Sequence, residues 1–285
     1  MSLELCILAS GSSGNATLLR SPAGVMLIDL GIGPRTTAKR LQGTGVRLAD
    51  VTAACLTHLD SDHFNANWIG ALIRQDIRLF CHADKARQIL RNAPPDLADE
   101  LERCLHPFEA ASFEPLEGLR FHPIPLAHDV AGSHGFVIDG FDYRIGFATD
   151  LGHVPAHLHE HFRDLNLIAL ESNYDPTMQE NSDRPWFLKR RITGGRGHLS
   201  NDQALAAVRL VLDRAQATAG RLPDHVVLLH RSRQCNCPTL LRTLFSRDRR
   251  IAPRLTLAEP YTRTEWLRRK TVAPATGEQL MLAFG

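Results

Sequence analysis

Residues 57–63 read Thr57-His58-Leu59-Asp60-Ser61-Asp62-His63, placing four side chains able to ligate a metal in one short turn. Crowding His58, Asp60, Asp62 and His63 together costs desolvation and mutual repulsion that a cation compensates, so the run reads as a metal-binding turn. Single His and Asp residues follow the ends of later apolar runs, at His128, Asp150 and His230. Together they point to a metal-dependent hydrolase. Taken singly, each has a plainer reading. Among 14 histidines, one at the end of an apolar run can be a hydrogen-bonded surface group, and an Asp there can cap a helix. It is the joint order and context of these residues that favours a metal.

The elements that must position these residues are legible in outline. Strand-like runs rich in Val, Ile, Leu and Thr cover residues 3–8, 16–19, 25–29, 51–57 and 77–81 in the first half of the chain. The second half repeats the style over 119–123, 135–138, 143–149, 165–170 and 226–229. Helical character is expected over 34–42, 64–74, 83–92 and 200–217. The last of these is the best defined: Ser200 is a suitable N-cap, Gln203 closes a capping box, and Leu205, Val208, Val211 and Leu212 share one face. Two β-rich halves packed on each other under helices imply an α/β protein built as a four-layer αββα sandwich.

Composition constrains the function without deciding it. The chain has 285 residues, 44% hydrophobic and 22% charged, and its formal net charge of +2 is too small to establish a polyanionic partner. The N-terminus lacks a basic leader, and no apolar run approaches the roughly 20 residues that span a bilayer. A cytoplasmic protein without a membrane partner is expected. Six cysteines show no disulfide-framework spacing. Cys6, Cys55 and Cys81 fall in strand-like runs as reduced thiols, while Cys235 and Cys237 lie in a polar loop, open either to soft-metal ligation or to a plain loop role.

Thr57 to His63 resembles the His-x-His-x-Asp-His signature of the metallo-β-lactamase superfamily, and Asp29 after Val25-Met26-Leu27-Ile28 resembles its earlier strand-Asp motif. His128, Asp150 and His230 fall where that family's later ligands stand. The likeness runs from about residue 3 to about residue 240. It implies a single hydrolase domain over 1–285, with a core over 3–240 and a C-terminal extension over 241–285. It further implies two divalent cations, zinc or manganese, with iron also compatible. His58, Asp60 and His128 would hold the first, Asp62, His63 and His230 the second, and Asp150 would bridge both, with Asp29 ordering the turn from behind. Two cations sharing a hydroxide would bring the pKa of bound water toward neutrality and clamp the attacking and leaving oxygens.

At residue 60 the sequence departs from the signature, with Asp where the family has His. A carboxylate is harder than imidazole and adds negative charge, which inclines the first site toward Mn²⁺, Fe²⁺ or Mg²⁺ relative to an all-His zinc site. A retuned two-metal enzyme, a one-metal enzyme and a metal-poor binding protein all stay open.

Substrate class turns on a second constellation. Glu171-Ser172-Asn173 follows one strand-like run, and Gly197-His198-Leu199-Ser200 opens the capped helix. The pair resembles motifs of the superfamily's tRNA 3′-end-processing nucleases. Together with Ser10-Gly11-Ser12-Ser13-Gly14-Asn15, it is similar also to a bacterial branch of single-domain exonuclease-like proteins. The resemblance implies a phosphodiester substrate, nucleic acid among the candidates. Asp62, His198 and Glu171 would be catalytic, and Ser12, Ser13, Asn15, Ser200 and Arg231 would contact substrate. A His held by a Glu near the metals can stay protonated and donate to a departing alkoxide, a step worth about 10²–10⁴-fold.

Basic residues flank these motifs, Lys189, Arg190, Arg191 and Arg196 on one side and Arg231, Arg233 and Arg242 on the other, either as phosphate contacts or as a solvated face. Tyr174 stands where the exonuclease-like branch has His, and the loop after His230 carries added Cys and Arg, so substrate preference is expected to differ. Hydrolysis of a cyclic phosphodiester, lactone or thioester is the same-fold alternative. Glu171 with His198 favours phosphodiesters over thioesters. A homodimer is compatible with the fold.

Overall fold

Alternation in the first strand sets the layering. Leu5 and Ile7 point to one side, into a core shared by two sheets, while Cys6 and Leu8 point to the other, under helices. The computed structural model describes residues 2–218 and 220–270. Its strands are β1 (Glu4–Ala9), β2 (Ala16–Ser21), β3 (Gly24–Ile28), β4 (Val51–Cys55), β5 (Arg78–His82), β6 (Leu105–Phe108), β7 (Phe113–Leu116), β8 (Leu119–Leu126), β9 (Ser133–Gly140), β10 (Tyr143–Ala148), β11 (Leu167–Glu171), β12 (His225–Leu229) and β13 (Leu255–Leu257). The helices are α1 (Pro34–Leu41), α2 (Ile69–Arg74), α3 (Ala83–Asn92), α4 (Ala98–Cys104), α5 (Leu158–His161), α6 (Pro176–Glu180), α7 (Trp186–Thr193), α8 (Asn201–Thr218) and α9 (Pro238–Phe245).

The first sheet runs in the order β1-β2-β3-β4-β5-β6 and the second β13-β12-β11-β10-β9-β8-β7. Each combines an antiparallel meander with parallel strands, β3 to β6 in one and β10 to β13 in the other. Their facing surfaces bury Ile28, Ala53 and Cys55 against Ile145, Leu167, Ala169, Val227 and Leu229, with Phe108, Phe121 and Phe136 filling one end. The outer face of the first sheet is covered by α1 to α4 around Trp68, Leu72 and Ile89. That of the second is covered by α5, α8 and α9 around Phe162, Val208 and Phe245. The αββα sandwich expected from the pattern is the observed architecture.

Three strands fall outside the expected set, and all are short edge strands: β6 and β7, each with a proline, and β13. The expected helix over 64–74 starts late, because Phe64 bridges to Leu30 and a 3₁₀ turn precedes α2. Chain beyond residue 240 joins both layers. β13 extends the second sheet, and Leu267 exchanges backbone hydrogen bonds with Leu5 of β1 at 2.9 and 2.7 Å. Residues 271–285 of the expected extension lie outside the described residues.

Candidate metal centre and its cavity

Apart from His198, which precedes α8, the singled-out His and Asp side chains converge at the C-terminal ends of strands. Asp29 follows β3, the 57–63 turn follows β4, His128 follows β8, Asp150 follows β10, Glu171 closes β11 and His230 follows β12. Asp29, Asp150 and His230 each take a left-handed backbone, with φ of 61°, 52° and 50°, which turns the chain sharply as the strand ends. Asp and His tolerate that region better than branched residues, and such strain gathers at functional sites.

Four overlapping groups of donor atoms result: His58, Asp60 and His128; Asp62, His63 and His230; His58, His63 and Asp150; and Asp150, Glu171, His198 and His230. Nε2 of His63 stands 2.9 Å from Oδ2 of Asp150, and Nε2 of His230 stands 3.1 Å from Oδ2 of Asp62. Asp60 is the most open member, with Oδ2 3.8 Å from Nε2 of His58 and 3.6 Å from Nε2 of His128.

The imidazole rings are oriented from behind. Nδ1 of His128 donates to the Gly197 carbonyl at 2.9 Å, and Nδ1 of His63 lies 2.7 Å from Oδ2 of Asp29. Nδ1 of His58 meets the Thr57 hydroxyl at 2.9 Å, while that hydroxyl and the Thr57 backbone N–H donate to Asp29. Each contact leaves Nε2 facing the cluster, the arrangement by which outer partners fix the tautomer of a metal-binding His.

Two observations test whether a cation fits. Nε2 of His58 is buried without a hydrogen-bond partner, an orphaned lone pair aimed at the cluster. Asp29, Asp150 and Glu171 are buried carboxylates with no Lys or Arg partner among the described residues. Buried negative charge of this density needs nearby positive charge. Without a cation only the histidines supply it. Burial disfavours charge on His230, yet Asp150, Asp62 and Glu171 outweigh burial and push it up to about 10. Burial likewise opposes His128, and Asp60, Asp150 and Gly197 raise it to about 9. His58 goes the other way, held well below its usual range by burial and by His63. The residues fit divalent metal.

The cluster opens into a cavity of about 330 Å³, within the range that encloses a small ligand rather than one ion. Ser12, Asp60, Asp62, His128, Asp150, Asn173, His198 and His230 reach its wall. Nδ1 of His198 donates to Oε1 of Glu171 at 2.7 Å, and Oε2 of Glu171 accepts from the backbone N–H groups of Leu151 and Leu199.

A model of the beta-lactamase superfamily domain matches residues 25–220. The chain belongs to the beta-lactamase superfamily. Exodeoxyribonuclease YycJ of Bacillus anthracis is 25% identical to it over 247 residues, covering 85% of this chain and 87% of that protein. Among solved structures, the metallo-beta-lactamase fold protein YhfI from Bacillus subtilis matches with a TM-score of 0.66 at 13% identity, over 93% of this chain and 100% of that one. Human tRNase Z, short form, matches with a TM-score of 0.60 at 18% identity, over 92% and 98% of the two chains. Membership of the superfamily implies divalent metal ions at this donor cluster.

The residues expected to contact substrate are placed unevenly in this superfamily member. Ser12 reaches the cavity; Ser13 is exposed but away from its wall. Asn15 is buried, its side-chain amide 2.9 Å from Nε2 of His63 and 3.1 Å from the Asp62 carbonyl, so it braces the turn. Ser200 is engaged in the α8 capping box with Gln203, at 2.9 and 3.2 Å. Arg231 is buried and paired with Glu259 at 2.5 Å. Cys235 packs with Tyr174 and Ile192, and Cys237 caps α9 through Sγ, 3.4 Å from the Leu240 N–H.

Sequence reasoning missed Asp129, Arg184, Leu188 and Gln234 on the cavity wall. Arg184 is fixed by Gln234, Gln179 and Ser232 at 2.9, 3.1 and 3.2 Å. No local pattern marks it, since two of its partners are about fifty residues away. Asp129, beside His128 and paired with Arg191, had adjacency to a singled-out His as its one signal.

Proposed function

We propose that this protein is a metal-dependent phosphodiesterase of nuclease-like kind. The observation that carries this reading is the 2.7 Å Glu171–His198 pair on the wall of the cavity that holds the donor cluster. A carboxylate-held imidazole beside a metal centre suits a reaction whose leaving group departs as an alkoxide needing a proton. The exodeoxyribonuclease name of the Bacillus anthracis relative supports the same substrate class.

In this reading His58, Asp60 and His128 would hold one cation and Asp62, His63 and His230 another, and Asp150 would serve both. Zinc or manganese suits the mixed His and carboxylate set, iron also, and Asp60 favours the harder ions at the more open position. When bound, the cations neutralise phosphate charge and make water a stronger nucleophile near neutral pH. Asp62, partly buried on the cavity wall and 3.1 Å from His230, orients the attacking group. His198 delivers a proton to the leaving oxygen, while Glu171 keeps Nδ1 protonated and the ring turned to the cavity. Asn15 and Asp29 brace the turn. Ser12 and the fixed guanidinium of Arg184 meet the phosphate chain, where planar donors pair well with anionic oxygens.

The reading is tested by hydrolysis of bis(p-nitrophenyl) phosphate by the purified protein, supplied in turn with Mn²⁺ and Zn²⁺. Turnover that chelator abolishes is the expected result. Inertness with both metals, alongside cleavage of a lactone or thioester, would move the protein to the same-fold alternative.

A further inference from the structure

Helix α7 forms one wall of the cavity and presents a second, unused face. Leu188 and Ile192 anchor it by packing with Tyr174, Met178 and Cys235, and Arg191 reaches the cavity beside them. On the outer side Trp186 and Phe187 are 69% and 68% exposed, more than any other described aromatic. Two adjacent large aromatics left in water carry an unfavourable hydration cost that a partner removes.

The helix itself is basic, with one of its cations, Arg191, already paired with Asp129. Residues 186–193, Trp-Phe-Leu-Lys-Arg-Arg-Ile-Thr, contain three basic residues and no acidic one. The Arg190 guanidinium lies over the Trp186 ring at 4.8 Å, and Lys189 bonds only to the Glu180 carbonyl, at 2.7 Å. Arg184, at the approach to the helix, has neutral acceptors as its partners. Tyr261, outside the cavity wall, is 55% exposed with the Arg233 guanidinium 5.0 Å from its ring.

We propose that α7 is a binding platform for single-stranded nucleic acid, with unpaired bases stacked on Trp186 and Phe187 and the phosphates led by Arg190 and Arg184 into the cavity. The proposal rests on the phosphodiesterase reading for the direction of the strand. Aromatic platforms interleaved with cations bind single strands because every unpaired base offers a face and every linkage a charge. A duplex covers its base faces, so it gains only the phosphate contacts.

The test is binding of a fluorescein-labelled phosphorothioate oligothymidylate to the metal-loaded protein, compared with a duplex of the same length. Tryptophan emission supplies a second readout, because Trp68 is buried, Trp266 is half-covered by Arg20, and Trp186 is the exposed one of the three. The single strand is expected to bind more tightly than the duplex and to quench emission. Trp186→Ala/Phe187→Ala, both at exposed sites, is expected to weaken single-strand binding about 10–100-fold, while Leu240→Ala elsewhere on the surface leaves it unchanged.

Equal binding by the double variant, equal or tighter binding of duplex, or absence of quenching would overturn the platform. So would a wild-type dimer that the double variant dissolves without losing the oligonucleotide, or binding to phosphatidylglycerol vesicles alone. If the wild type binds and quenches but leaves bis(p-nitrophenyl) phosphate intact, the platform stands and the phosphodiesterase reading falls.

Discussion

Nδ1 of His198 and Oε1 of Glu171 lie 2.7 Å apart across the junction of β11 with the start of α8. The carboxylate is fully buried, and its other oxygen accepts from two backbone N–H groups, so it is a fixed reference for the imidazole rather than a mobile partner.

This arrangement predicts a split by leaving group. His198→Ala retains bound metal and slows cleavage of an alkyl phosphodiester by about 10²–10⁴-fold, because an alkoxide needs the proton. It slows p-nitrophenyl ester cleavage far less, since nitrophenolate leaves unaided. Metal content by atomic emission and kcat on the two substrates check this. An equal loss on both esters, or loss of metal, contradicts the role.

Asp29 accepts from the Thr57 N–H at 2.9 Å and lies 2.7 Å from Nδ1 of His63, both buried. Asp29→Ala removes the partner of three polar groups, the Thr57 N–H, the Thr57 hydroxyl and Nδ1 of His63, and frees the His63 ring. Metal affinity is expected to fall about 10–100-fold, and stability by about 1–3 kcal/mol for each orphaned group. Titration with a competing chelator and urea denaturation of the metal-free protein measure the two effects separately.

Metal uptake is expected to release protons. His128 at about 9 and His230 at about 10 are protonated at neutral pH while the site lacks a cation, and a metal takes only the unprotonated ring. Affinity therefore falls as pH drops below about 10, and more steeply below about 9 where both rings take up protons, and titration at pH 7 in weak buffer acidifies the solution. Uptake with no proton release at pH 7 would show that these rings are already neutral.

At the position where the signature has His, Asp60 presents a carboxylate 47% exposed toward the cavity. Asp60→His removes a negative charge and supplies a softer donor, so the ratio of zinc to manganese affinity rises by tenfold or more. Competition between the two ions, followed by metal analysis after desalting, reads the ratio. An unchanged ratio would show that residue 60 does not meet a metal.

Much of this was legible because strand ends announce themselves. Val25 to Ile28 and Val226 to Leu229 are apolar runs stopped by Asp29 and His230, Val51 to Leu56 runs into Thr57-His58, and these stops all lie at the C-terminal ends of strands. Less visible was what tertiary packing alone decides. Asn15 is expected to contact substrate, yet its amide reaches Asp62 and His63. Ser200 is a suitable cap and is expected to contact substrate as well, and its hydroxyl is occupied by Gln203. Arg184 sits in a polar segment without periodicity, and its place on the cavity wall is set by Ser232 and Gln234 from a loop far along the chain.

The most direct measurement is the fate of an end-labelled single-stranded oligodeoxynucleotide with the metal-loaded wild type, with the same protein in excess chelator, and with Asp62→Ala. The account predicts stepwise shortening by the first and an intact strand with the other two. Shortening that survives chelator or persists in Asp62→Ala would contradict a metal-dependent phosphodiesterase centred on this cluster.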